Sequence, residues 1–284
     1  MIELGLKAVC NYLTHPNSNP MHPTYETITL ERPAPHVLQV TLARPAAANA
    51  LNTQMGRDLL DIWTSLTEDA ADIRCVVLTG QGDSIFCAGG DLKERNSMDA
   101  VQWRRQHELF ERKYWALVDL PIPVIAAVNG HAYGGGLEMV LCCDFAYASE
   151  TARFALPESK LGIMPGSGGT QNLPRAIGER KAKELMMTGR PFSAQEALDW
   201  GLINQKCAGS LVLAQALETA NTIAQGAPLS MRQIKKSVRY GGQMELRTAY
   251  RFEVEAYNHL IDTDDRREGV AAFNEKRKPD FKGR

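Results

Sequence analysis

The stretch His131-Ala132-Tyr133-Gly134-Gly135-Gly136-Leu137-Glu138 puts three consecutive glycines ahead of an apolar, helix-compatible segment. Upstream, Pro123-Val124-Ile125-Ala126-Ala127-Val128 reads as a short buried strand that ends at Asn129-Gly130. The glycines therefore occupy a strand-to-helix turn, where backbone N–H groups without intrahelical partners can face negative charge. Glu138 falls one turn into that helix. Taken singly, a glycine triplet is a tight turn with close helix packing.

Two further stretches give it company. FCAGGDLKER (residues 86–95) follows the apolar run Cys75 to Thr79 and the turn Gly80-Gln81-Gly82-Asp83, and supplies another glycine amide. Two amides from separate loops, aimed at one point, make an oxyanion hole: donors already oriented toward an oxygen on which charge develops. The third stretch, LPESKLGIMPGSGGTQNLPRAIG (residues 156–178), sets a second carboxylate, Glu158, ahead of another glycine-rich turn. On its own, Glu158 reads as a surface or capping residue.

Together these segments carry a resemblance. FCAGGDLKER, then PVIAAVNGHAYGGGLE (residues 123–138) with CDFAYA after it, then the stretch from Leu156 to Gly178, resembles the crotonase superfamily, also called the enoyl-CoA hydratase/isomerase family. The likeness runs from about Tyr25 to the C-terminus and includes the ending Phe273 to Gly283. Within the superfamily, FCAGGDLKER and residues 157–178 most resemble the methylglutaconyl-CoA hydratase branch. The resemblance implies an α/β fold with a β-β-α spiral core over residues 24–205. It also implies a C-terminal helical oligomerisation region over residues 206–284, assembled as a homotrimer or a dimer of trimers.

The pattern along the chain agrees with an α/β fold. Strand-like Thr27 to Leu30 and Val37 to Leu42 precede a helical stretch around Met55 to Leu66, and strands and helices alternate to about Ala148. Beyond Thr170 the sequence turns mostly helical, at Arg180 to Met187, Ser193 to Trp200, Leu211 to Ala224, Ser230 to Val238 and Met244 to Ile261. No internal repeat is visible. Residues 1–23, with three prolines, read as an N-terminal extension outside the fold, with Met21 as an alternative start.

The resemblance also distributes roles. Gly90 and Gly135 become the oxyanion hole for the thioester carbonyl, whose oxygen gains charge as water adds at the β-carbon of a 2-enoyl thioester. Glu138 orients and deprotonates water, and Glu158 transfers a proton at the α-carbon, roles that two close carboxylates can share. Gly166, expected at a helix start, offers a further amide near the water. Ala47, Ala88, Asp91 and Leu92 occupy positions associated with CoA contact, and Phe273 and Lys276 match residues that reach the ligand from a neighbouring subunit. Ala46 stands where the family usually has lysine, which removes one cationic contact. Neither a metal nor a separate cofactor is expected, since CoA arrives as part of the substrate. An isomerase that shifts a double bond can work with the later glutamate alone, so keeping both favours a hydratase, with the enoyl-CoA delta-isomerase as the alternative.

Composition bounds the partners. With 284 residues, 44% hydrophobic and 23% charged, and a net charge of -1, the chain has no overall basicity to attract nucleic acid or anionic membrane. Residues 57–72, which align with an RNA-binding helix of a relative in the methylglutaconyl branch, contain no lysine and carry five acidic residues against Arg57. That composition cannot neutralise a phosphate backbone. The six cysteines show no paired metal-ligand spacing, and the segment before Tyr25 lacks the pattern of a secretion signal or transit peptide, so a reducing cytoplasm is the expected setting. Arg95 and Arg104 are candidates to meet a distal carboxylate on the acyl group, while Met98, Trp103 and Trp115 are candidates to shape its pocket or to pack in a core.

Overall fold

The structure, a computed structural model, describes residues 24–284. The N-terminal extension, including the short helix or turn expected within it, lies outside the described residues. In chain order the strands are β1 (Ile28–Ala34), β2 (Val37–Leu42), β3 (Cys75–Gly80), β4 (Ile85–Cys87), β5 (Val124–Val128), β6 (His131–Tyr133), β7 (Phe145–Ser149), β8 (Arg153–Ala155), β9 (Phe192–Ser193) and β10 (Gln205–Cys207). They form a six-stranded sheet in the order β1-β2-β3-β5-β7-β10 and a four-stranded sheet in the order β4-β6-β8-β9. β1 and β2 are an antiparallel hairpin; from β2 through β3, β5 and β7 to β10 every pairing is parallel.

The geometry supplies the repeat that the sequence hides. Three times the chain runs along a strand of the large sheet, turns a corner and pairs in the small sheet: β3 to β4, β5 to β6, and β7 to β8. Each circuit lies beside the previous one, which is the spiral core. The corner after β5 has a definite cause. Asn129 accepts the Gly80 N–H at 3.1 Å and donates to the Gly82 carbonyl at 2.6 Å, locking two successive corners together. Gly130 passes so close to Ser84 that a Cβ would lie 2.1 Å from its carbonyl carbon, leaving no room for any side chain. The strand expected to feed the glycine turn directly thus reaches it through β6.

Apolar residues on the inner strands of the large sheet explain their burial on both faces: β2, β3 and β5 are buried throughout, whereas the edge strands β1 and β10 are partly exposed. One face meets the helix Thr53–Glu68, capped by Asn52, which buries Met55, Leu59, Ile62, Trp63 and Leu66 in the main core. The other face meets the helix Val212–Ala224, whose Val212, Ala216, Ala220 and Ala224 pack on Val37, Cys75, Val77, Ile125 and Ala127. Alanine at this i, i+4 spacing lets the helix lie close to the sheet. The boundary expected at residue 205 therefore moves: it falls inside β10, and the next helix completes the core. The helices that follow it, Pro228–Gly241, Leu246–Ile261 and Asp264–Glu275, leave large apolar side chains such as Leu246, Tyr257 and Phe273 exposed. Among the described residues no helix is long and apolar enough to cross a membrane.

Candidate active site

The glycine triplet divides its work. Gly134 caps the helix Gly135–Cys142 with φ 52° and ψ -127°, a conformation open to glycine, and donates to the Ala155 carbonyl at 2.9 Å. Gly135 is the first helical residue, so its N–H has no intrahelical acceptor. Gly136 lies against β4, where a Cβ would come within 2.4 Å of the Cys87 carbonyl. The tight-turn and open-amide interpretations both hold, on different glycines.

The second loop meets the first. A Cβ on Gly89 would lie 2.8 Å from the Tyr133 carbonyl and 3.4 Å from the Gly135 nitrogen. Gly90 forms a parallel bridge with Leu51 in which the Gly89 carbonyl accepts from Leu51 and Asp91 donates to Leu51, at 2.8 and 2.9 Å. Those bonds face one side, so the N–H of Gly90 points to the other. Gly90 and Gly135 both line one cleft of about 700 Å³, with Glu138 and Glu158 in its wall.

The two carboxylates are buried but held differently. Glu138 accepts the amides of Ser167 at 2.7 Å and Gly169 at 2.9 Å on one oxygen. Burial pushes its carboxyl up; the Gly169 and Ser167 amides, then Lys113 and His107, pull it back toward the ionised form. Glu158 opens the turn Glu158–Leu161, and its Oε2 is buried without a hydrogen-bond partner. Burial raises its pKa to about 7; its own N–H and Arg95 oppose that, and the nearby Glu138 charge adds to it. One oxygen of Glu158 would sit 3.0 Å from a Cβ on Gly134, and one of Glu138 4.0 Å from a Cβ on Gly135. The pair thus flanks consecutive residues of the glycine turn. Burial raises both carboxyls, but two backbone amides favour the anion on Glu138 while Glu158 keeps a buried oxygen without a partner, a difference of surroundings that suits distinct base and acid roles.

Of the other expected positions, Ala88, Leu92 and Gly166 line the cleft. The helix expected at Gly166 begins three residues later, at Gly169, and the loop amides that reach Glu138 belong to Ser167 and Gly169. The glycine-rich turn before Thr170 was the sequence signal for them. Ala47 lies in the turn Pro45–Ala47, away from the cleft wall. Asp91 caps the helix Leu92–Arg95, accepting from Lys93 and Glu94, and pairs with Arg44 at 3.0 Å. Burial pushes the Asp91 carboxyl up, and the Glu94 amide and Arg44 outweigh it and hold it below the usual carboxylate range. Its side chain is therefore committed to the fold.

Phe273 and Lys276 do not reach the cleft of their own chain. The tail that follows them is tied by Arg74, which donates to the Phe281 carbonyl at 2.8 Å, and Arg74 precedes β3 at the end opposite the cleft. A six-residue strand separates the two ends by about 20 Å. His131 accepts the Arg153 N–H at 3.1 Å through Nδ1, a structural contact. Arg95 and Trp103 line the cleft, Arg95 stacked 4.6 Å above the Trp103 ring and donating to Gln106; Arg104 sits exposed at its edge. Lys113, which nothing in the sequence singled out, is buried on the helix Ala100–Val118 and acts electrostatically on Glu138.

Comparison with known proteins agrees with this geometry. The family profile described as Enoyl-CoA hydratase/isomerase matches residues 33–284. The chain is 40% identical to a short-chain-enoyl-CoA hydratase of Clostridium acetobutylicum, covering 87% of this chain and 95% of that protein. It is 39% identical to the 2,3-dehydroadipyl-CoA hydratase of Escherichia coli, covering 87% and 96%. The crystal structure of an enoyl-CoA hydratase from Bacillus anthracis superposes with a TM-score of 0.89 at 43% identity, covering 91% of this chain and all of that one. With fold, cleft and sequence in agreement over nearly the whole described chain, the protein belongs to the enoyl-CoA hydratase/isomerase family, the crotonase superfamily, and is an enzyme of it.

Proposed function

We propose that the chain adds water across the 2,3 double bond of a 2-enoyl-CoA thioester to give the 3-hydroxyacyl-CoA. The observation that carries this is the pair of unlike carboxyls, Glu138 and Glu158, beside the open amides of Gly90 and Gly135 in one cleft. The thioester oxygen takes both amides. As the water oxygen bonds to the β-carbon, the Glu138 carboxylate receives the water proton and negative charge moves onto the thioester oxygen. Glu158, carrying its proton, delivers it to the α-carbon and the enolate collapses. Preorganised amides stabilise that enolate more than the ground-state carbonyl, so they act on the barrier. Turnover in labelled water tests the proposal: the 3-hydroxyl should carry solvent oxygen. Absence of labelled 3-hydroxyacyl-CoA from crotonyl-, longer-chain, branched and glutaconyl-type CoA esters would promote the isomerase, whose Glu138→Gln variant should keep shifting the double bond.

A methylglutaconyl-type substrate is the finer version of this proposal, supported by the wording of FCAGGDLKER and residues 157–178. A cytoplasmic setting belongs to it as well, in keeping with cysteines that lack paired metal-ligand spacing. So does a homotrimer or dimer of trimers in which Phe273 and Lys276 reach a neighbour's CoA, for which the 83% exposure of Phe273 leaves the side chain open. Light scattering should give a multiple of three 31.4 kDa chains. A stable, fully active monomer would remove the cross-subunit contact.

A further inference from the structure

We infer that a chamber adjoining the cleft, walled by Tyr114, Asn172 and Arg239, is a second subsite that takes the far end of an acyl chain terminating in a carboxylate. The inference rests on the enoyl-CoA proposal and names its substrate class. The chamber, about 590 Å³, shares His107 and the loop Gly166 to Gly168 with the cleft. That loop includes Ser167, whose amide holds Glu138. The two cavities are thus neighbours across that loop, whose Gly168 packs closely against Tyr114, and the inferred path takes an acyl chain with its β-carbon at Glu138 past the loop into the chamber.

The wall combines an apolar body with one uncommitted cation. Tyr114 and Trp115 meet edge to face at 5.0 Å, and Val118 is buried beneath them. Arg239 is half-buried on the helix Pro228–Gly241, and among the described residues its guanidinium has no carboxylate within 4.0 Å and no hydrogen bond. Its neighbours are committed: Lys235 pairs with Asp144 at 2.9 Å, Lys236 lies over Phe252, and Arg175 donates to the Gln171 carbonyl at 2.7 Å. The charge of Arg239 acts on Tyr114 and Cys142 as well as on the exposed Tyr240. Asn172 donates to the Tyr114 hydroxyl oxygen at 3.3 Å, leaving that O–H free to donate. A guanidinium fork beside a phenol O–H is a receptor for a carboxylate, and a half-desolvated cation gains most from such a partner. Two carboxylates border the chamber, the exposed Glu111 and Asp119, the latter accepting the Tyr240 hydroxyl at 3.2 Å. Arg95 is less suited, since Glu94, Glu138 and Glu158 already act on it.

The test compares hex-2-enoyl-CoA with hex-2-enedioyl-CoA, which differ only in the terminal methyl or carboxylate. The parent should favour the diacid in kcat/KM. Arg239→Gln should lower the diacid-to-monoacid ratio about 10-fold to 100-fold, and Arg239→Lys should restore part of it. Monoacid turnover by each variant reports on its fold. Calorimetry with the saturated adipoyl-CoA and hexanoyl-CoA reads the same contact without any hydration step. A ratio near one in the parent, or one unmoved by Arg239→Gln in both assays, overturns the subsite. An Arg239-dependent preference for adipoyl-CoA without hydration of any enoyl-CoA would keep the subsite and sink the hydratase.

Discussion

Glu138→Gln and Glu158→Gln should each lower turnover about 100-fold to 10,000-fold while leaving CoA affinity nearly unchanged, the range expected for loss of one positioned proton-transfer group. The amide oxygen of a glutamine at 138 can still accept from Ser167 and Gly169, so the loop keeps its shape, but the side chain cannot take a proton from water. Glutamine at 158 imitates the neutral carboxyl without a proton to give. The double variant should be far from additive, because both groups serve one transition state. Glu158 also fixes the pH profile. With a pKa of about 7, it loses the proton it must deliver as pH rises through that value, so hydration by the parent should fall above pH 7, and the reverse dehydration, which runs through the same singly protonated pair, should fall with it. Stability carries the same signature. The folded pKa lies above the ordinary value of 4.5, so ionised Glu158 destabilises the fold above pH 7 and contributes nothing below about 4.5, where both states hold the proton. Glu158→Gln should therefore melt at progressively higher temperature than the parent between those limits, by a few degrees at most. A melting difference independent of pH would overturn the assignment of Glu158 as the buried acid.

Much of this site could be read from the sequence because its parts are local. The glycine triplet, the second glycine loop and Glu138 each depend on near neighbours, and long elements such as Val37–Leu42 carry their own periodicity. What escaped depends on distant contacts. β4, β6 and β8 have three residues each, too few to show alternation, and the pairing of β4 with β6 depends on Asn129 and Gly130 binding the corner of the preceding circuit. Lys113 reads as an ordinary helical lysine until Gln106 and Phe110, seven and three positions before it, are found on the same buried face. The helix Asp264–Glu275 was missed for another reason: its weak apolar pattern obscured a sound start, Thr263 capping Arg266 ahead of two aspartates. The role of Val212–Ala224 in the core was hidden because small alanines pack on a sheet face without raising the hydrophobic contrast of the helix.

Gly135→Pro should cost about 100-fold to 1,000-fold in kcat beyond Gly135→Ala, with little further change in KM, because proline alone removes the oxyanion donor. The position tolerates the test. Proline is accepted at the first residue of a helix, where its missing N–H breaks no helical bond. Gly134, at ψ -127°, already lies outside the helical region that a following proline disfavours. Both substitutions introduce a Cβ 2.9 Å from Leu51 Cδ1, the end of a flexible side chain, so alanine should cost less than about tenfold and measures the steric part. The proline ring also occupies space where the N–H pointed, and binding of an alkyl-CoA thioether separates that from lost donation: without a carbonyl oxygen, its affinity should be alike in the two variants. Equal kcat for alanine and proline would remove Gly135 from the oxyanion hole and leave Gly90 without its partner. A proline-specific loss confined to kcat, with thioether binding intact, would place the Gly135 amide in the transition state rather than in ground-state binding.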